Sequence, residues 1–343
     1  MNKKRILIIG AGISGLTLAR LFKDNGDYVE IREKESFTGG LSADYKHKDY
    51  YVSIFGPRFL RFSNKTKNAK TFLEKYTKLV KYNHKVIALG DSSFTFWPTN
   101  KTYLDLFNKT NPNKSMIDEF VSSYSKKVWD KDTKEVLGNI RSRFKFKDNY
   151  NTDFMEGIQG YIPKDGFTNL FKKMSKGIKI VHNCEDSIDT IYPLIDEFDY
   201  IFVSAPIDTF FKNMFGKLAY KKIQFDLERF ENDGSNILLS QVMNLNTHPE
   251  IIRLTEYPQF YASNSKSRII GAERRSEDGI PCYPVLTKKN TKIYNKYLEY
   301  SKHFDGVHFI GRLSEYKYKD FDVACADAIL LFKQLKGGLK NGR

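Results

Sequence analysis

KRILIIGAGISGLTLARLFKDNGDYVEIREKESFTGG, residues 4–40, carries more of the fold than any other part of the chain. Ile6 to Ile9 is a short apolar run of the kind that forms a buried parallel strand. Gly10, Gly12 and Gly15 follow as G-x-G-x-x-G, and apolar Leu16, Ala19 and Leu21 continue at helical spacing. Each glycine has its own physical reason: a tight turn, close approach of backbone to a diphosphate, and close packing of helix on strand. The diphosphate then rests on the positive N-terminus of the helix. A second strand from Tyr28 to Ile31 leads to Glu33, eighteen residues after Gly15, where a carboxylate can accept from the ribose hydroxyls of an adenosine half. Strand, glycines, helix, strand and acid together predict a Rossmann-like dinucleotide fold. Gly39-Gly40 after Glu33-Lys34 favours FAD over NAD, because many flavoproteins of this fold carry a second glycine pair there.

The chain has 343 residues, enough to bury roughly three quarters of its unfolded surface and to build two or three domains around one cofactor. A net charge of +15 points to anionic ligands. The lysines are spread rather than gathered, so most of that charge reads as solvated surface, with a few arginines left for a phosphate site. Cys184, Cys282 and Cys325 have no C-x-x-C spacing, so neither a disulfide framework nor a metal site is expected. Lys3-Lys4-Arg5 before an apolar run imitates a signal peptide, but the run is short and breaks into glycines. The expectation is a strand in a cytoplasmic protein with no membrane attachment.

Further along, Tyr50 to Phe62 (YYVSIFGPRFLRF) is aromatic and broken at Gly56-Pro57, Ala69 to Leu79 reads as helix, and Val86–Leu89 with Phe94–Trp97 reads as a hairpin. Tyr103 to Trp129 has helical spacing interrupted at Asn111-Pro112. It places Phe120 and Tyr124 four apart on one face, as core packing or as a platform for a base. Ile140–Phe146 (IRSRFKF) puts Arg141 and Arg143 on one side of a strand. A helix from Gly166, strands at Ile178–His182 and Phe198–Ser204, and alternating segments at Ile223–Leu227, Asn236–Val242, Ile251–Thr255 and Arg268–Ala272 follow. The chain closes with strand Val307–Ile310, Gly311-Arg312 and helix Val323–Leu335.

With those segments in place the chain resembles the UDP-galactopyranose mutase family over nearly its whole length. GRLSEYKYKD at 311–320 is similar to the family's G-R-L-A-E-Y-K-Y-x-D, YSKKVW at 124–129 to Y-T-x-K-x-W, and IPKDGF at 162–167 to I-P-x-x-G-[YF]. Ala205-Pro206-Ile207-Asp208 with Phe211, Phe215 and Gly216 also fits. The resemblance implies an α/β protein: a Rossmann-like FAD-binding domain (1–80, 165–210 and 303–343), an inserted short helical domain (101–140) and an antiparallel β-sheet substrate domain (81–100, 141–164 and 211–302). It implies interconversion of UDP-galactopyranose and UDP-galactofuranose, or of a close analogue such as UDP-N-acetylgalactose or UDP-arabinose. It further implies reduced FAD acting through N5 as the nucleophile, without net redox change, activated by an external reductant such as NAD(P)H.

By position, the resemblance assigns Arg143 and Arg253 to the departing diphosphate, Tyr283 and Tyr318 to donors upon it, and Asp320 to the neighbourhood of the reacting sugar. Phe120, Tyr124, Ser125 and Trp129 match the uridine pocket, Asn100 a nearby asparagine, and Arg312 the arginine on the FAD diphosphate. Where the family has G-[PA]-H-x-F-H-T, this chain has Gly56-Pro57-Arg58-Phe59-Leu60-Arg61-Phe62, so two switchable imidazoles have become fixed cations. Arg58 is expected beside the cofactor. Arg61 is expected to stabilise anionic reduced flavin or to meet an altered sugar. A family tyrosine is missing or displaced to Tyr161. The helical insert is shorter than the family's, which leaves a homodimer open; nucleic acid is not an expected partner. Two other readings are an FAD-dependent oxidoreductase of the same fold and a catalytically silent nucleotide- or polyanion-binding descendant.

Overall fold

The computed structural model describes residues 3–90, 93–122, 127, 146–155 and 157–337. Arg5–Ile9 (β1) is followed by helix Ile13–Asp24 (α1) and strand Tyr28–Arg32 (β2). These belong to a five-stranded parallel sheet in the order Lys179–Val181, β2, β1, Tyr200–Val203, Val307–Phe309. Alternation along β1 explains why its run is apolar throughout. Ile6 and Ile8 face a core with Leu16, Ala19 and Phe22 of α1 and Ala326 and Ile329 of the C-terminal helix Phe321–Gly337. Leu7 and Ile9 face a second core with Val203, Phe210 and Tyr297.

The second sheet has seven strands in the order Ile280–Pro284, Tyr220–Glu231, Ser267–Arg275, Ile251–Glu256, Val242–Leu245, Val86–Leu89, Phe94–Phe96. Its neighbours are antiparallel except Val242–Leu245 against Val86–Leu89, which run parallel. The expected hairpin therefore forms and is recruited into the larger sheet. A small sheet of Leu60–Arg61, Gly160–Pro163 and Leu79–Tyr82 stands beside the two large ones.

Two expected elements are replaced by others. The helix expected over Ala69–Leu79 is Lys67–Leu73 only, because the backbone of Leu79–Tyr82 pairs instead with Gly160–Pro163. The strand expected at Asn236–Val242 begins only at Val242. The reason is a buried ion pair: Glu256 and Arg268 meet at 2.5 Å with both side chains fully enclosed. The Glu256 carboxylate accepts from the backbone N–H groups of Ile237 and Leu238, and Arg268 donates to the Asn236 side chain and to the Gly234 carbonyl. Backbone donors that would have made a ladder are thus satisfied by side chains, and the buried charges are satisfied by the loop.

Candidate active site

The glycine crest takes the form its spacing predicts. Gly10 has φ +101°, and a Cβ there would strike Ser204 Oγ at 2.2 Å. At Gly15 it would strike the Gly10 carbonyl at 2.2 Å, so this glycine seats α1 on β1. Beside Gly12 nothing stands within 4 Å, which is the open approach a diphosphate requires. The first turn of α1 has no acidic residue and no side-chain cap, leaving its N–H groups for an anion. Glu33 is buried, with Oε2 accepting from Ala11 N–H at 2.6 Å and Oε1 from Glu35 N–H at 2.9 Å. Gly39 (φ +125°) donates to the Ala11 carbonyl, and a Cβ on Gly40 would reach Gly12 Cα at 3.4 Å. Gly311, distant in sequence, closes the same crest: its Cβ would meet Ser14 Oγ at 3.1 Å. The cradle thus fits a dinucleotide, and these residues could hold one.

From Gly311 the chain runs directly into the candidate chemistry. Tyr283 and Tyr318 stack with ring centroids 5.8 Å apart and planes 15° from parallel. The Arg312 guanidinium lies 5.4 and 4.9 Å from the two centroids. It donates to the Lys319 and Cys282 carbonyls, so the contacts that hold it are those of the tyrosine pair. Arg253 rises from Ile251–Glu256, donating to Asn244 Oδ1 at 3.1 Å and to Glu273 Oε1 at 3.3 Å. Glu273 reaches the Gly56 turn, where a Cβ would come within 2.8 Å of Oε1. Burial raises the Tyr283 phenol, which keeps it a donor at any working pH, and the positive fields of Arg58 and Arg253 reach it. Burial likewise raises the neighbouring Cys282 thiol to about 11, against the fields of Arg58 and Arg312. Among the described residues Arg58 donates only to the Pro57 carbonyl and Arg312 only to carbonyls. Three guanidiniums thus gather beside the two phenols, with Arg253 on the Glu273 carboxylate.

Arg61 is matched differently: it forms an ion pair with Asp320 and donates to Met155 Sδ at 2.9 Å. Asn100 is buried and uses its amide structurally, capping helix Lys101–Thr110 through Tyr103 N–H and donating to the Tyr150 carbonyl. Phe120 is 2% exposed and packs edge-on to Phe107, 5.9 Å away. Tyr161 is turned into the first core, with Phe62 at 5.8 Å and Lys70 over its ring, rather than toward Arg61. Tyr124, Ser125, Trp129 and Arg143 lie outside the described residues. Lys127, from the same run as the first three, donates to the Leu245 and Ile251 carbonyls. Burial lowers its ammonium to about 8.

Glu273 and His84 carry no motif and were not anticipated. His84 stacks on Phe59 at 4.4 Å, and Tyr82 Oη lies 2.7 Å from its Nδ1. Tyr82 is buried and its phenol is held well above the usual range by burial, so the hydroxyl donates and the imidazole proton sits on Nε2. Burial lowers His84 from 6.5 to about 3, with Arg253 adding to the effect. A histidine depressed in the folded state binds its proton first in the unfolded chain. Its contribution is therefore present above pH 6.5 and lost as pH falls toward 3. Between pH 6.5 and 5 this group alone should remove up to about 2 kcal/mol of unfolding free energy. Denaturant titrations of wild type and His84→Gln at both pH values check this; equal losses in the two proteins would contradict it.

A parallel Rossmann-like sheet with a glycine crest, set against a second sheet that presents arginines and tyrosines, defines a flavin-type dinucleotide-fold protein. A family model described as UDP-galactopyranose mutase matches residues 119–318, and one described as an NAD(P)-binding Rossmann-like domain matches residues 8–76. The chain belongs to the UDP-galactopyranose mutase family. A probable UDP-galactopyranose mutase of Klebsiella pneumoniae is 25% identical over 370 residues, covering 96% of this chain and 94% of that protein. A dTDP-fucopyranose mutase of Escherichia coli is 28% identical, covering 96% and 97%. The crystal structure of a reduced UDP-galactopyranose mutase matches the fold with a TM-score of 0.73 at 12% identity, covering 98% of this chain and 94% of that one.

Proposed function

We propose that the protein is a flavin-dependent nucleotide-sugar mutase that interconverts pyranose and furanose forms of UDP-galactose or a close analogue, with reduced FAD as its cofactor. The observation that carries this reading is the cluster of Arg58, Arg253 and Arg312 around Tyr283 and Tyr318, with Glu273 as the carboxylate that faces it. A nucleoside diphosphate leaving an anomeric carbon gathers negative charge on oxygen, and fixed guanidinium and phenol donors stabilise that charge without reorganising. When bound and reduced, the flavin supplies a nucleophilic ring nitrogen.

The crest at Gly10, Gly12 and Gly15 with Gly39, Gly40 and Glu33 is the proposed flavin site, with Arg312 and Arg58 at its edge. Arg253 and Arg143 bracket the diphosphate, Tyr283 and Tyr318 donate to it, and Asp320 and Arg61 lie toward the sugar. Tyr124, Ser125 and Trp129 form the base side, with Phe120 and Asn100 buried behind it. In this reading 211–302 is the core of the substrate domain and an NAD(P)H-type reductant activates the enzyme. A cytoplasmic location agrees with the finding that no helix among the described residues is long and apolar enough to cross a membrane.

The test is chromatography of a panel of UDP-hexoses, UDP-pentoses and dTDP-fucose incubated with the dithionite-reduced protein. Furanose formation without net oxygen consumption is the expected result. No interconversion of any sugar with the flavin fully reduced would defeat the proposal, and oxygen consumption stoichiometric with a substrate would instead assign an FAD-dependent oxidoreductase.

A further inference from the structure

The cations of the site are of two kinds. Arg58 and Arg312 donate to backbone carbonyls, and Arg253 to Asn244 and Glu273. Arg61 is matched one to one by Asp320. The nearby Asp322 is buried and hydrogen-bonded to Thr66, and burial raises its carboxyl. Beyond Asp320, Arg61 donates to the Met155 sulfur, a weak acceptor whose loss to an oxygen ligand is cheap in hydrogen-bond terms. Met155 in turn lines a cavity with Phe59, Tyr82, His84, Asp153 and Gly160. The imidazole there is neutral, an N–H donor beside an aromatic face. The wall is thus rich in donors and acceptors, with Asp153 as a further acid on it.

We propose that Arg61 and Asp320 form a charge-neutral fork that restricts the site to sugars without a charged substituent. This rests on the nucleotide-sugar reading above and deepens it. Arg61 gives an N–H to a sugar hydroxyl as Met155 yields, and Asp320 accepts from a neighbouring hydroxyl, each charge cancelled by the other. A hexose carrying a carboxylate brings a third charge to a balanced pair and sets it against Asp320. Deleting either member leaves an uncompensated charge of known sign, so the two single variants should shift selectivity in opposite directions. A merely structural role does not predict that.

The experiment compares UDP-galactopyranose with UDP-galacturonic acid on the flavin-loaded protein, by equilibrium binding and by turnover. Wild type should bind the uronate at least tenfold more weakly. Asp320→Asn, with Arg61 unmatched, should narrow that ratio about tenfold; Arg61→Gln, with Asp320 unmatched, should widen it by a similar factor. The double variant Arg61→Gln/Asp320→Asn should return to the wild-type ratio. The fork is overturned if both single variants move the ratio in the same direction or leave it unchanged, or if neither sugar binds. Opposite shifts in binding without turnover of any sugar would keep the fork and discard the mutase.

Discussion

Arg253→Ala is expected to lower kcat for furanose formation by about 10²–10³-fold, the scale seen when one fixed donor to a developing oxyanion is removed. Arg253 is set in mid-sheet and oriented from both sides, by Asn244 Oδ1 and Glu273 Oε1, so its fork is already aimed when substrate arrives. Lysine should not replace it, since an ammonium lacks the planar pair of donors and would not hold both partners. The variant also strips Glu273, 7% exposed, of a cation. Arg253→Ala/Glu273→Gln separates the two effects. It should recover thermal stability lost in the single variant and recover none of the rate. If the double variant regained activity, the arginine would be serving Glu273 and not the diphosphate.

The second large effect concerns the crest, where two glycines three positions apart should fail in different ways. Gly15→Val places a side chain 2.2 Å from the Gly10 carbonyl and 3.0 Å from Ile8, against backbone and core that cannot give way cheaply. It should destabilise the apoprotein by at least 1–3 kcal/mol and leave purified protein with little flavin. Gly12→Ala meets nothing within 4 Å and should leave the melting temperature of the flavin-free protein unchanged. Its methyl enters the space kept for the cofactor, so flavin affinity should fall tenfold or more, about 1.4 kcal/mol. Flavin absorbance per protein with melting curves of stripped samples distinguishes the two. Gly12→Ala that bound flavin normally would mean the diphosphate does not approach this turn.

What the sequence reveals and conceals follows from the range of each interaction. The crest is legible because strand, glycines, helix and acid lie within forty residues and each has a local steric reason. The C-terminal segment is legible through an unusual motif at 311–320. Arg61 and Asp320, by contrast, are 259 positions apart, and nothing local to either marks the other as its partner. Glu273 sits in a strand whose alternation is common to many strands. Asn236–Val242 reads as a strand because Ile237, Leu238, Leu239 and Val242 make it apolar, but a buried carboxylate from Glu256 claims its amides. Helix Lys288–Ser301 escaped notice because Asn290, Tyr297 and Ser301 are its buried residues, too polar a set to show as an apolar stripe. The uridine pocket expected at Tyr124, Ser125 and Trp129 rests on its motif.

The crest has a further property that concerns time. Its walls come from opposite ends of the chain: Gly10 and Ser14 near the start, Ser204 midway, and Gly311 with its strand Val307–Phe309 almost at the finish. At ribosomal rates of about 5–20 residues per second, tens of seconds separate emergence of the first wall from emergence of the last. During that interval the sheet lacks its edge strand Val307–Phe309, and the helix Phe321–Gly337 has yet to cover α1. A nascent chain therefore has no complete seat for the dinucleotide until Gly311 has emerged. The cofactor acts as a clasp on a finished fold, adding its binding energy to the native state alone.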